Sequence, residues 1–285
     1  MTAIQRVGVV GSGIMGAGIA EVAARAGFAV VLRSRSAATA LDTVAALDRS
    51  LGRQVEKGRL GTDEREAIVA RVAPTVDLAD LADCDLVIES IVEDMAAKRL
   101  LFAELDVVCA TTTVLATNTS TLPVMDMASH TNRPDRVCGL HFFNPAPVMP
   151  LVEIVRPLTA SQATIDAARS FALACGKDPI DVQDRAGFVV NALLFPYLNN
   201  AVRLYERGTA SMPDIDTAMK GGCNFPMGPF ALLDLVGLDT SVAILQALYA
   251  ESHDPNVAPA PTLLRLVEAG RLGRKSGKGF YDYAR

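Results

Sequence analysis

Three histidines occur in the 285 residues, and His141 is the one placed to do chemistry. It closes the run Arg136-Val-Cys-Gly-Leu-His141, which predicts a β-strand. Glu153 follows in Leu151-Val-Glu-Ile-Val155, a second predicted strand, reached through the proline-rich turn Asn144-Pro-Ala-Pro-Val-Met-Pro150. Such a turn can bring the two side chains alongside one another. A carboxylate on one imidazole nitrogen fixes the tautomer and makes the other nitrogen a better base. On these residues alone His141 could equally be a hydrogen-bonded core histidine. Ser120, just after the predicted strand Val114–Thr117, is either a substrate-facing hydroxyl or a helix cap. Asn191, in Gly187-Phe-Val-Val-Asn-Ala-Leu193, is a polar residue on an apolar helix start, either a satisfied buried amide or a substrate contact. His130 and His253 lie in polar, loop-like segments and read as bystanders.

A second constellation lies near the N-terminus. The run Arg6–Val10 ends at Gly11-Ser-Gly13-Ile-Met-Gly16, a helical pattern follows to Gly27, and Phe28–Leu32 is again continuously apolar. A GxGxxG in this strand–helix–strand setting predicts a dinucleotide site. Gly11 makes the tight turn, Gly13 admits a pyrophosphate and Gly16 lets helix and strand pack closely. Ile14 and Met15 belong to the same cofactor-contacting stretch, at a helix N-terminus whose unpaired N–H groups favour phosphate. Where an NAD site usually places an acid, this chain has Arg33-Ser34-Arg35-Ser36 and no acid before Asp42. A hydroxyl and a guanidinium suit a 2′-phosphate, which a carboxylate would repel. NADP(H) is therefore the favoured cofactor, read mainly by Ser34 and Arg35 with Arg33 or Ser36 assisting; NAD(H) remains possible.

The elements that must carry these residues alternate. Helical patterns at 37–57, 63–71, 95–108 and 161–175 separate strand-like runs at 85–89, 114–117, 136–141, 151–155 and 179–182. Such alternation predicts an α/β fold, a doubly wound and mainly parallel sheet with helices on both faces. From 187 the pattern is helical almost to the tail, so two domains are expected, 1–186 and 187–285, the second all-helical.

Composition excludes several classes. Half the residues are hydrophobic and 21% are charged, which rules out global disorder. Five cysteines without a CxxC pair argue against a disulfide framework or zinc knuckle and predict small buried apolar residues; no metal site is expected. No stretch reaches the roughly 18–20 apolar residues of a membrane span, and the N-terminus lacks a cleavable apolar leader, so a cytoplasmic protein with no membrane partner is expected. The net charge of −5 gives no reason to bind nucleic acid. The average hides basic segments, net +3 over 33–59 and +4 over 265–278, which leaves −12 elsewhere and suits small phosphorylated ligands. The tail Arg274-Lys-Ser-Gly-Lys-Gly279 has a phosphate-loop composition but no following helix, and no chemistry is assigned to it.

Several long motifs, in order along nearly the whole chain, give it a resemblance. GSGIMGAGIA at 11–20, DLVIESIVED at 85–94, NTSTLP at 118–123, HFFNPAPVMPLVE at 141–153, AGFVVNALL at 186–194, PMGPFALLDLVGLD at 226–239 and GRKSGKGFYDY at 273–283 resemble the L-3-hydroxyacyl-CoA dehydrogenase family. The likeness is to its monofunctional bacterial 3-hydroxybutyryl-CoA dehydrogenase form. The resemblance implies a Rossmann-type domain followed by a helical domain that forms a homodimer, and an acyl-CoA substrate. It implies an oxidoreductase that interconverts (S)-3-hydroxybutyryl-CoA and acetoacetyl-CoA by hydride transfer. His141 is then the acid–base oriented by Glu153, with Ser120 and Asn191 on the substrate. Glu93, Lys98 and Asn118 match positions near the nicotinamide, and Arg53 and Lys57, at i and i+4, match positions that contact the CoA nucleotide. Met125, Phe143, Met149 and Met227 are candidates for the acyl pocket. Ser34 departs from the aspartate many members carry there; with NADPH as the working cofactor, the cellular NADPH pool, and not the enzyme, would drive the reaction toward reduction. Three other readings remain: an NAD-dependent dehydrogenase of fatty-acid oxidation, a dehydrogenase of a free hydroxy acid, and a non-catalytic nucleotide-binding sensor.

Overall fold

Eight short strands, most of them apolar, assemble into a single sheet of order β3-β2-β1-β4-β5-β6-β7-β8. In chain order they are β1 (Arg6–Val10), β2 (Ala29–Arg33), β3 (Val72–Thr75), β4 (Leu86–Glu89), β5 (Val114–Thr117), β6 (Val137–Phe142), β7 (Leu151–Arg156) and β8 (Asp178–Gln183). The computed structural model describes residues 4–283. Every strand pairing is parallel except β6 with β7. Parallel neighbours need crossovers, whereas antiparallel ones need only a turn. The crossovers are helical: α1 (Ile14–Arg25), α2 (Ala37–Glu56), α3 (Thr62–Ala70), α4 (Met95–Val108), the short α5 (Val124–Ala128) and α6 (Gln162–Ala174).

Alternation along the strands gives each face its own packing. Val7, Val9, Leu86 and Ile88 join Ile19 and Ala23 of α1 and Phe171 of α6 in one buried cluster. Gly8 points the other way, toward Leu81, Cys84 and Val87. The order β3-β2-β1-β4-β5-β6 reverses direction between β1 and β4, and in such sheets ligands bind beyond the strand C-termini at that switch point. The glycine loop follows β1 at this place, and Glu89 ends β4 beside it.

Two elements differ from the sequence reading. β3 follows α3 directly and carries Pro74, so its four residues show no strand pattern. It survives because it pairs only with β2 at the sheet edge, where a missing N–H is tolerated. α5 has five residues and no hydrophobic period to detect; Asp184 accepts the amides of Val124 (3.0 Å) and Met125 (2.6 Å) at its start.

The chain divides after Asp184, and a second unit begins at Arg185. It is built from α7 (Val190–Glu206), α8 (Met212–Cys223), α9 (Pro229–Val236), α10 (Leu238–Ser252) and α11 (Pro261–Glu268) around Phe195, Leu198, Phe230, Leu233, Leu245 and Leu263. The tail is fastened to this core by carboxylates. Asp234 accepts the amides of Phe280 and Tyr281, each at 2.9 Å, and the Tyr283 hydroxyl at 3.0 Å. Asp216 accepts the Tyr281 hydroxyl at 2.9 Å. These bonds explain the glycine- and tyrosine-rich tail motif as a structural strap. Among the described residues no single helix is long and apolar enough to cross a membrane, and no group of three His, Cys, Asp or Glu could hold a metal ion.

Candidate active site

The antiparallel pairing sets His141 of β6 directly opposite Glu153 of β7. Cross-strand partners project on the same face of a sheet, so the imidazole and carboxylate meet. His141 Nδ1 lies 2.7 Å from Glu153 Oε2, with His141 4% and Glu153 0% exposed. An ionised Glu153 could only accept, an arrangement that would put the proton on Nδ1 and leave Nε2 with a lone pair. Nε2 lies 3.1 Å from Ser120 Oγ, in the loop after β5. The Phe143 ring tilts against the imidazole, with centroids 4.5 Å apart.

Ser120 is held in turn by Glu93. Glu93 Oε1 accepts the Ser120 amide at 3.0 Å and the Thr119 hydroxyl in a short bond. Glu93 Oε2 lies 3.2 Å from Lys98 Nζ, and Lys98, fully buried near the start of α4, also donates to both oxygens of Glu89 at 2.8 Å. Asn118 joins three strand ends: Oδ1 accepts the Phe142 amide at 2.9 Å and Nδ2 reaches Ser90 Oγ at 3.4 Å. Sequence reasoning passed over Glu89 and Thr119. The available signal for Glu89 was a carboxylate ending a continuously apolar strand, which burial tolerates only with a partner.

The glycine loop has the shape a dinucleotide needs. Gly11 has φ +119°, and a Cβ there would strike the Ser90 carbonyl. A Cβ on Gly16 would strike the Gly11 carbonyl, whereas nothing lies within 4 Å of one built on Gly13. Gly13 begins α1 without a side-chain cap, which leaves the first amides for an anion. Ile14 is 80% exposed and Met15 half-buried. At the end of β2, Ser34 is buried with Oγ 2.7 Å from Ser12 Oγ, and Arg35 is exposed. Arg33 donates to the Val76 carbonyl at 3.2 Å. Ser36 is the N-cap of α2, accepting the Thr39 amide at 3.2 Å, so its hydroxyl already has a structural task. These features fit a dinucleotide, whose pyrophosphate the Gly13 backbone and first α1 amides would hold and whose adenosine ribose the residues after β2 would meet.

Arg53 on α2 and Lys57 at its C-cap are both exposed. Asn191 occupies the first turn of α7 in the second unit and is 8% exposed. His130 and His253 are exposed. Of the acyl-pocket candidates, Met125 and Phe143 are half-buried, Met149 is 37% exposed, and Met227 is half-buried in the second unit. Burial raises the thiol pKa to about 11 for Cys84 and Cys109 and to about 12 for Cys138 and Cys175, which makes them poor nucleophiles. Cys223 departs from the expectation of buried cysteines, because it ends α8 at the surface.

A sheet that reverses at β1/β4, a glycine loop at that point and a buried His–Glu pair beyond it define a nicotinamide-dinucleotide oxidoreductase of Rossmann type with a helical second domain. The chain belongs to the 3-hydroxyacyl-CoA dehydrogenase family: the profile of the family's NAD binding domain matches residues 6–185 and that of its C-terminal domain residues 187–283. It is 50% identical over 283 residues to the 3-hydroxybutyryl-CoA dehydrogenase of Mycobacterium tuberculosis, covering 99% of both chains. It is 43% identical to the mitochondrial hydroxyacyl-coenzyme A dehydrogenase of Homo sapiens, covering 98% of this chain and 91% of that one. A crystal structure of the (S)-3-hydroxybutyryl-CoA dehydrogenase from Ralstonia eutropha superposes with a TM-score of 0.97 at 40% identity, covering 99% of this chain and 100% of the other.

Proposed function

We propose that this enzyme interconverts (S)-3-hydroxybutyryl-CoA and acetoacetyl-CoA with NADP(H), and that His141 is its general base and acid. The observation that carries the reading is the imidazole held between a buried carboxylate and a serine hydroxyl, Glu153 at 2.7 Å and Ser120 at 3.1 Å. Near-identical chain length and 40–50% identity to 3-hydroxybutyryl-CoA dehydrogenases support the substrate.

Gly11, Gly13, Ile14, Met15 and Gly16 would hold the pyrophosphate half of the dinucleotide, Glu93 the nicotinamide half with buried Lys98 acting through it, and Ser34 with Arg35 the adenosine 2′-phosphate. When bound, the dinucleotide supplies two-electron redox chemistry at the carbinol carbon. In oxidation, His141 Nε2 takes the proton of the substrate 3-hydroxyl, and Glu153 stabilises the resulting imidazolium through Nδ1–H. Ser120 Oγ, already at Nε2, orients the substrate oxygen. In reduction, Nε2–H gives its proton to the ketone oxygen, so each turnover consumes one proton from solution. Asn191 is assigned to the same substrate by the family resemblance.

The absence of an acid at position 34 supports NADP(H). Ser34 and Ser12 offer two hydroxyls there and Arg35 an exposed guanidinium, a set that suits a phosphate dianion better than a bare ribose diol. Arg53 and Lys57 are assigned to the phosphates of CoA. The first domain, 1–186, carries the cofactor; the second, 187–285, serves substrate binding and homodimerisation, for which the exposed Leu193 and Leu204 of α7 are suitable. The test is acetoacetyl-CoA reduction followed with NADPH and NADH side by side. Faster turnover per unit KM with NADPH supports the full reading. Preference for NADH removes the cofactor assignment, and activity with neither removes the substrate.

A further inference from the structure

Glu89 ends β4 in the run Leu86-Val-Ile-Glu89 and is 0% exposed. A carboxylate in such a place is costly unless its oxygens are satisfied, and here each accepts two bonds. Oε1 accepts the Ile91 amide at 2.7 Å and Lys98 Nζ at 2.8 Å. Oε2 accepts Thr117 Oγ1 at 2.6 Å and the same Nζ at 2.8 Å. Lys98 is therefore gripped at two points by a carboxylate that cannot move. Its remaining reach is to Glu93 Oε2 at 3.2 Å, and Glu93 is 41% exposed at its side chain and otherwise able to swing. Glu93 Oε1 in turn holds the Ser120 amide, and Ser120 Oγ meets His141 Nε2. The result is one chain of polar contacts from Glu89 through Lys98, Glu93, Ser120 and His141 to Glu153. It begins and ends on a fully buried carboxylate.

We propose that Glu89 is a positioning residue for the reaction, which rests on the reading of His141 as acid–base. By fixing Lys98 it fixes Glu93 against the Ser120 backbone, and so sets where Ser120 Oγ stands relative to Nε2. Both ends of the chain are anchored in strands, β4 and β7, whereas Ser120 lies in a loop and has no strand pairing to hold it. Removing the Glu89 charge leaves the Lys98 ammonium to Glu93 alone and draws that carboxylate away from the Ser120 amide.

The test is a double-mutant cycle on kcat, measured with saturating dinucleotide and acetoacetyl-CoA, for Glu89→Gln, Ser120→Ala and both together. Glu89→Gln is expected to lower kcat ~10-fold in the wild-type background and less than ~2-fold in the Ser120→Ala background, the signature of two residues acting through one another. A purely structural role would cut the active fraction equally in both backgrounds. An equal loss in both, an unchanged kcat in Glu89→Gln, or an unchanged kcat in Ser120→Ala would each overturn the proposal. If Glu89→Gln does not fold, Thr117→Val removes one donor to Glu89 while keeping its charge, and the same cycle applies with an expected ~3-fold effect. Inactive His141→Gln with an additive cycle sinks this proposal alone, whereas active His141→Gln sinks the acid–base reading beneath it.

Discussion

Glu153 Oε2 stands 2.7 Å from His141 Nδ1 across the antiparallel pairing of an otherwise parallel sheet. The pairing register itself faces these two residues, so neither depends on a flexible loop for its position. Glu153→Gln keeps the shape and the Nδ1 hydrogen bond but removes the charge that, in the proposed mechanism, would stabilise an imidazolium. It is expected to lower kcat about 100-fold with little change in either KM. Steady-state kinetics check this, and an unchanged kcat contradicts the orienting role.

The proposed reading of the cofactor rests on the end of β2. Ser34→Asp combined with Arg35→Ile places a carboxylate where a 2′-phosphate would lie and removes the guanidinium. Like charges brought together cost several kcal/mol, so the ratio of kcat/KM for NADPH over NADH should fall roughly 100-fold. A ratio that does not move shows that these residues do not read the phosphate.

Arg53 and Lys57 share one face at the end of α2. Changing both to alanine is expected to raise KM for acetoacetyl-CoA about 10-fold through lost charge-assisted bonds, with KM for NADPH within about 2-fold. Equal increases in both would move these residues to the dinucleotide.

Acid stability should depend on Asp106. Burial pushes its carboxyl upward, but bonds from the Asn132 amide, the Arg133 guanidinium and the Asn132 side chain outweigh that and leave it below the ordinary 3.8. A depressed folded value means the stabilisation is complete above the unfolded value and is lost as pH falls through the folded one. Stability should therefore drop progressively as pH descends below about 4. Asp106→Asn should flatten that limb and cost roughly 3 kcal/mol at neutral pH, since it leaves buried Arg133 without its carboxylate. Denaturant midpoints measured across pH check both.

Much of the sheet was legible in sequence because most of its strands are continuous apolar runs bounded by helical periods. β3 was not, because four residues containing Pro74 have no pattern of their own and are strand only by pairing with β2. The positions of His141 and Glu153 on adjacent strands followed from the intervening proline turn, but their contact depended on the antiparallel register, which alternation alone does not fix. Glu89 was hidden for a different reason. Its partner Lys98 comes from the next helix, and a charge buried by a partner nine residues away looks in sequence like an ordinary strand end. The basic segment at 33–59 was visible in the charge count, whereas the division of its residues between capping and ligand contact appears only with the Ser36 cap and the Arg33–Val76 bond.

The direct test of His141 as the group that moves the substrate proton is the turnover of His141→Gln. Its kcat for acetoacetyl-CoA reduction by NADPH should fall about 1,000-fold, with NADPH affinity, measured by fluorescence titration, unchanged within about 2-fold. Near-normal turnover in that variant would contradict the account.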